Sequence, residues 1–246
     1  MHVLVTGASS GLGQHFALCL AGQGAKVTLA ARREQALAAT VAAIREAGGA
    51  AEAVVMDVGN AASVARGIEE AEQGFGPVGV LVNNAGVTET GPALDLTERG
   101  WDQVLDTNLR GAWLVAQQTA RRMVHHNLAG SIVNVASILG LRVASGVVAY
   151  AVSKAGLVQL TKALALEWAR FRIRVNALAP GYIETEMNRA FFATPAGQAM
   201  IKRIPQRRLG MAHELDGALL LLASEAGSFM TGSIVTVDGG HLVSGL

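Results

Sequence analysis

Apolar positions along this chain fall into two kinds of block. Short runs dominated by Val, Ile, Leu and Ala occupy residues 2–6, 26–30, 53–56, 78–82, 131–136, 173–179 and 233–237. Between them, apolar residues recur at three- and four-residue spacing over 12–23, 34–47, 61–75, most of 99–126, and 150–170. The first pattern predicts strands and the second predicts helices. Runs that are near-continuously apolar belong to strands covered on both faces. Strands alternating with helices of this length are joined by right-handed crossovers into a parallel sheet. The expected fold is therefore a doubly wound α/β sheet with helices on both faces, forming one domain over residues 1–246.

Composition excludes several functions. The chain is 51% apolar and 16% charged, with a formal net charge of +1. No Lys/Arg block exceeds two residues, so neither nucleic acid nor a membrane surface is an expected partner. No stretch approaches the roughly 20 apolar residues of a transmembrane helix. The first strand starts almost at Met1 with a glycine loop behind it, so no signal peptide is expected and the cytoplasm is the default. The single cysteine, Cys19, lies in an apolar helical run and reads as a core residue rather than a catalytic thiol. No metal site is expected.

Thr6-Gly7-Ala8-Ser9-Ser10-Gly11-Leu12-Gly13 joins the first strand to the first helix. Glycines there let the backbone turn sharply and approach a pyrophosphate, whose charge then sits at the helix N-terminus. The triplet Gly7, Gly11 and Gly13 alone is weak in so glycine-rich a chain. Its position at the first strand-to-helix turn gives it weight. The second strand ends Ala31-Arg32-Arg33, with no carboxylate before Glu34. A carboxylate would suit the free ribose hydroxyls of NAD(H), whereas a guanidinium suits the 2′-phosphate of NADP(H). NADP(H) is the expected cofactor and NAD(H) the alternative. The other reading leaves Arg32 and Arg33 as solvated residues before a helix.

Tyr150 and Lys154 lie four residues apart, hence on one helical face. Chance would produce such a pair only about 0.03 times in this composition. A phenol is a poor proton donor or acceptor at neutral pH, and a neighbouring cation is expected to lower its pKa. Ser137 ends the fifth strand, where carboxyl ends face the ligand crevice. A serine there is otherwise a turn or cap residue.

Taken in order, the glycine loop, Asn83-Asn84-Ala85-Gly86, Asn108, Ser137, Tyr150, Lys154, Pro180-Gly181 and Asp238-Gly-Gly240 resemble the pattern of short-chain dehydrogenases/reductases across essentially the whole chain. The overall likeness is to 3-oxoacyl-[acyl-carrier-protein] reductases. The resemblance implies a Rossmann-type sheet of seven parallel strands in the order 3-2-1-4-5-6-7. It implies a catalytic tetrad of Asn108, Ser137, Tyr150 and Lys154. Cofactor contacts would come from Gly7, Ser9, Ser10, Gly11, Leu12, Gly13, Arg32, Arg33, Asp57, Val58, Asn84, Ala85, Gly86, Tyr150, Lys154, Pro180, Gly181, Ile183 and Thr185. Asp57 would bind the adenine amino group, and Asn108 would orient water in a relay reaching Lys154. Two departures stand out. Ser9 and Ser10 occupy loop positions that are often basic in NADP-preferring relatives, and Ser131 and Phe171 replace the arginines that dock a carrier protein.

The substrate side is expected to include Ser137, Leu139, Val147, Tyr150, Met187 and Phe191. Residues 184–209 would form a capping segment combining apolar residues with Arg189, Lys202, Arg203, Arg207 and Arg208. One reading is an apolar pocket with a basic mouth for a lipophilic ketone or a 3-oxoacyl-type substrate. The other is an amphipathic lid packed on the body. The helix from Tyr150 is apolar nearly all round, which suggests burial against a second subunit in a homo-oligomer, a tetramer or a dimer. The expected function is hydride transfer between NADP(H) and the carbonyl or secondary alcohol of a small molecule. The alternatives are an NAD-dependent dehydrogenase of a secondary alcohol or polyol, and a non-catalytic dinucleotide sensor.

Overall fold

A computed structural model describes residues 1–185 and 188–244. Its strands are β1 (His2–Thr6), β2 (Lys26–Ala31), β3 (Ala50–Val55), β4 (Val80–Asn83), β5 (Gly130–Val135), β6 (Ile173–Pro180) and β7 (Ile234–Val237). They form one parallel sheet in the order β3-β2-β1-β4-β5-β6-β7. The helices are α1 (Gly11–Gly22), α2 (Glu34–Glu46), α3 (Ala61–Phe75), α4 (Glu98–Leu105), α5 (Ala112–His125), α6 (Val148–Trp168), α7 (Arg189–Phe192), α8 (Pro195–Ile201) and α9 (Asp216–Ala223).

The two-residue period of a strand sends alternate side chains to opposite faces. Val3 and Val5 join a core with Phe16 and Leu20 of α1, Leu37 of α2 and Leu219 of α9. Leu4, between them, joins the opposite core with Val64 and Ile68 of α3 and Val115 of α5. Both faces are thus covered, which is why β1 reads as uninterruptedly apolar.

Several elements differ from the sequence expectation, among them α9, which it did not include, and β4, which starts two residues later. β3 begins at Ala50, three residues early, because Ala50, Ala51 and Glu52 pair in register with Lys26, Val27 and Thr28. Backbone pairing there overrides the weak strand propensity of alanine and glutamate. The helical stretch over 99–126 is divided by a π turn, Asp106–Gly111, between α4 and α5. A π turn adds a residue to the helical ladder and is common at functional sites. Here it carries Asn108 into the interior.

β1 lies between β2 and β4, so the direction of winding switches beside β1 and opens a crevice at the carboxyl ends of the strands. Every strand from β1 to β6 delivers predicted site residues to that edge: Gly7, Arg32, Asp57, Asn84, Ser137 and Gly181 each follow directly or closely on a strand.

Candidate active site

The glycine loop is folded tightly onto the residues after β4. A Cβ on Gly7, whose φ is +66°, would sit 2.8 Å from the Ala85 Cα, and one on Gly13 would sit 2.3 Å from the Gly7 carbonyl oxygen. The Asn84 amide nitrogen donates to the Thr6 carbonyl at 3.0 Å, while the Thr6 hydroxyl accepts from the Asn84 and Ala85 backbone N–H groups. Asn84 therefore braces the loop, and Thr6, not singled out from the sequence, is its partner. Gly11, at φ +57°, has open space where a Cβ would be. No side chain caps the N-terminus of α1 and no acidic residue lies in its first turn. Its free N–H groups and positive dipole end face the crevice, an arrangement that fits a pyrophosphate. Leu12 is half-buried beneath the loop.

Arg33 crosses to the loop's rim, where its Nη2 donates to the Ser9 hydroxyl at 3.0 Å and the Ser10 hydroxyl at 2.9 Å. Arg32 is exposed beside it. The two serines thus hold a guanidinium supplied by the following strand. Asp57 is exposed after β3 and accepts from the Gly59 N–H at 3.0 Å, with Val58 buried next to it.

At the reacting centre, Ser137 is extended backbone after β5, and its hydroxyl accepts from the Leu139 N–H at 3.1 Å. Ser137 thus caps the turn, and it also faces Tyr150 closely enough to oppose the rise in that phenol's pKa. Lys154 is 4% exposed, its Nζ 5.6 Å from the centre of the Tyr150 ring, and it donates to the Val135 carbonyl at 2.8 Å. A Cβ on Gly86 would come within 3.6 Å of that Nζ, so a larger residue would narrow the approach to it. Asn108 is fully buried: its Nδ2 donates to the Val87 carbonyl and the Ser153 hydroxyl, and its Oδ1 accepts from the Val87 N–H. Both amide hydrogens are committed within the protein. The Asn108 side chain fixes the π turn against the chain after Gly86 instead of presenting a donor to the crevice.

Burial pushes the Tyr150 phenol above its ordinary value, and only the Ser137 hydroxyl pulls the other way. Burial also brings Lys154 down to about 8. Desolvation accounts for this, since burial disfavours the charged form of the lysine. A phenol kept protonated, beside an ammonium that still prevails at pH 7, is suited to give up a proton rather than take one. A nicotinamide dinucleotide bound in the crevice supplies or accepts hydride. Chemically, the arrangement could hold a carbonyl oxygen on Ser137 and pass the Tyr150 proton to it, with the Lys154 charge beside the phenolate so formed.

On the substrate side, Leu139 and Val147 are half-buried and Phe191 is 44% exposed. Phe192 packs under Phe191 and Tyr182 and supports the wall from behind. Met187 lies outside the described residues. Pro180 ends β6, and Gly181 is held so close to Asp238 that a Cβ would stand 2.7 Å from its Cα. Ile183 is buried and bridges to Gly210, while the Thr185 N–H donates to Asn188. The basic mouth is partly neutralised: Arg189 pairs with Glu184 at 3.1 Å and Arg208 with Glu214 at 2.6 Å. The wall is also less apolar than expected. Tyr182, one of two tyrosines and adjacent to Pro180-Gly181, stands near Tyr150 and influences its charge, with Arg142 and His241 beyond it. Cys19 is inert, its thiol pushed up to about 11 by burial and by Asp216. Among the described residues, no cluster of His, Cys, Asp and Glu could hold a metal ion, and no helix is long and apolar enough to cross a membrane.

Comparison with known proteins follows the same outline. A family model described as Enoyl-(Acyl carrier protein) reductase matches residues 7–241. A gluconate 5-dehydrogenase of Gluconobacter oxydans is 36% identical over 98% of this chain and 94% of its own length. A 3-oxoacyl-[acyl-carrier-protein] reductase of Thermotoga maritima is 36% identical, covering 98% and 97%. Among solved structures, a gluconate 5-dehydrogenase of Burkholderia cenocepacia, in complex with NADP and tartrate, superposes with a TM-score of 0.95 at 36% identity, covering 99% of this chain and 96% of that one.

Proposed function

The chain belongs to the short-chain dehydrogenase/reductase family and is an oxidoreductase of alcohol and ketone substrates, and within that activity we propose that it prefers NADP(H) and acts on a small, partly hydroxylated ketone. The observation that carries the cofactor preference is the Arg33 guanidinium held on Ser9 and Ser10 at the rim of the glycine loop. A 2′-phosphate there would gain charge-assisted hydrogen bonds that a free ribose hydroxyl cannot match. The relative solved with NADP adds support. Arg33→Asp should raise KM for NADPH about tenfold or more while changing that for NADH little. Equal responses, or a preference for NADH in the unmutated enzyme, would refute the assignment.

On the substrate side, Leu139, Val147 and Phe191 offer one apolar wall, and Tyr182 with Arg142 offers a polar one. That mixture favours a polyol or sugar-derived ketone over the purely lipophilic ketone or 3-oxoacyl thioester that the sequence suggested. The relatives named for gluconate agree with it. Ser131 is buried with its hydroxyl on the Leu222 carbonyl, which gives no support to carrier-protein docking at that position.

We further propose a homo-oligomer with α4, α5 and α6 at the interface. Leu105, Leu109, Trp113, Gly156 and Leu160 line a groove across these helices, and Val148, Val152 and Leu166 of α6 are 39%, 42% and 84% exposed. A second copy of the same chain would cover this apolar strip. Sedimentation of the unmutated protein as a monomer at micromolar concentration would refute it.

A further inference from the structure

Beyond Tyr150 the crevice carries a group of polar side chains that the reaction itself does not use. Tyr182 follows β6, and its ring stacks at a tilt on His241, with centroids 5.3 Å apart. Arg142, five residues after Ser137, donates through Nη1 to the His241 carbonyl and, at 3.3 Å, to the Ser244 hydroxyl. These bonds tie the loop after Ser137 to the C-terminal tail, and among the described residues the guanidinium makes no other hydrogen bond. Arg142 forms no ion pair with a carboxylate among the described residues. His241 is 6% exposed, yet its Nδ1 has no hydrogen-bond partner among the described residues. A buried polar atom without a partner costs free energy, and in a crevice it marks the place of a ligand atom.

Two arginines and one carboxylate act on this group. Arg142 and Arg203 both act on His241 and hold its pKa down along with burial, opposed only by Asp238. The Asp238 carboxylate is already occupied by the Gly240 and Leu242 backbone N–H groups, at 2.8 and 2.6 Å. Burial drives the Tyr182 phenol up, so it stands as a neutral donor beside Arg142. The Arg142 guanidinium and the Tyr182 hydroxyl can both donate here, and the neutral His241 ring can donate through Nδ1 in one of its tautomers.

We propose that Arg142, His241 and Tyr182 receive a carboxylate of the substrate, so that the compound reduced at Ser137 and Tyr150 is a keto acid and the compound oxidised there is a hydroxy acid. This rests on Ser137 and Tyr150 being the reacting centre. It separates the substrate classes of the relatives, since a neutral polyol or a thioester would leave the guanidinium without its counter-charge.

The test compares a matched pair of ketones with NADPH: 5-keto-D-gluconate, and L-sorbose, which carries a hydroxymethyl group in place of the carboxylate. The unmutated enzyme should favour the keto acid in kcat/KM, and rising salt should weaken that preference. Arg142→Met should cut the ratio of the two kcat/KM values about 10- to 100-fold, the worth of a charge-assisted hydrogen bond, chiefly through KM for the acid. Arg142→Lys should restore part of it. His241→Phe keeps a ring against Tyr182, removes Nδ1, and should cut the ratio several-fold. Equal losses for both ketones in every variant would make these residues props for the loop and overturn the proposal. So would a preference of the unmutated enzyme for L-sorbose or for a simple ketone such as octan-2-one, with the Tyr150 centre left standing. Failure to reduce any ketone would overturn both.

Discussion

At the amino ends of the strands, the buried imidazole of His2 has its Nδ1 on the Gly76 carbonyl at 2.7 Å and its Nε2 on the Thr28 hydroxyl at 2.8 Å. Thr28 in turn donates to Glu52 at 2.7 Å, so one hydrogen-bonded chain crosses β1, β2 and β3. At the carboxyl ends of the same sheet, α1 starts without a side-chain cap, Lys154 is buried without a carboxylate, and His241 keeps an unpartnered nitrogen among the described residues. A depression of about 750 Å³ also lies at the amino ends, lined by His2, Val80, Arg172 and Phe229 among others, and it contains none of the site residues. Size therefore does not locate the chemistry. Polar groups that find partners within the chain contribute to stability, whereas those left open are arranged for ligands.

If that contrast is right, changes at the two ends separate rate from stability. The largest effect should come from Gly11→Asp. Aspartate tolerates a positive φ, so the fold should persist, while its charge in the pyrophosphate seat should weaken NADPH binding about 100-fold or more. Calorimetric titration checks this, and unchanged affinity would remove the glycine loop from the cofactor site.

Thr28→Val should act the other way. Breaking the His2–Thr28–Glu52 chain leaves buried groups unsatisfied, at a cost of about 1–3 kcal/mol in unfolding free energy. The kcat of the folded enzyme should stay within twofold. Denaturant unfolding paired with steady-state rates would show it, and a large fall in kcat with stability intact would erase the contrast.

The smallest effect is in pH. With Lys154 brought down to about 8 by burial, raising the pH through that value removes its charge, so reduction should fall roughly tenfold by pH 9. Stability should respond in the opposite sense. Between about 8 and the ordinary lysine value the unfolded chain binds more protons, so this residue's contribution to stability rises with pH. A flat rate profile from pH 6 to 9.5 would contradict it.

Much of this was legible in the sequence, for identifiable reasons. β1, β2 and α3 were readable because covered strands are apolar throughout and an amphipathic helix repeats every 3.6 residues. The order of the strands came through resemblance, not periodicity. Tyr150, Lys154, Ser137 and the glycine loop stand out in the sequence because the chemistry expected of them depends on local spacing. The π turn at 106–111 was missed, since its extra residue is fixed by Asn108 meeting Val87, 21 residues distant. Arg142, Tyr182 and His241 were missed for the same reason: they come from three segments and mean something only once folded together. Burial, which pushes the Tyr150 phenol up, is likewise invisible in a motif.

The central claim, that the phenol at the carboxyl ends delivers the proton, is tested most directly by the single-turnover rate of NADPH oxidation with a reducible ketone in Tyr150→Phe. Losing a general acid costs about 10²–10⁴ in rate, and the account predicts a loss in that range with NADPH affinity within several-fold of wild type. A rate near that of the unmutated enzyme would contradict it.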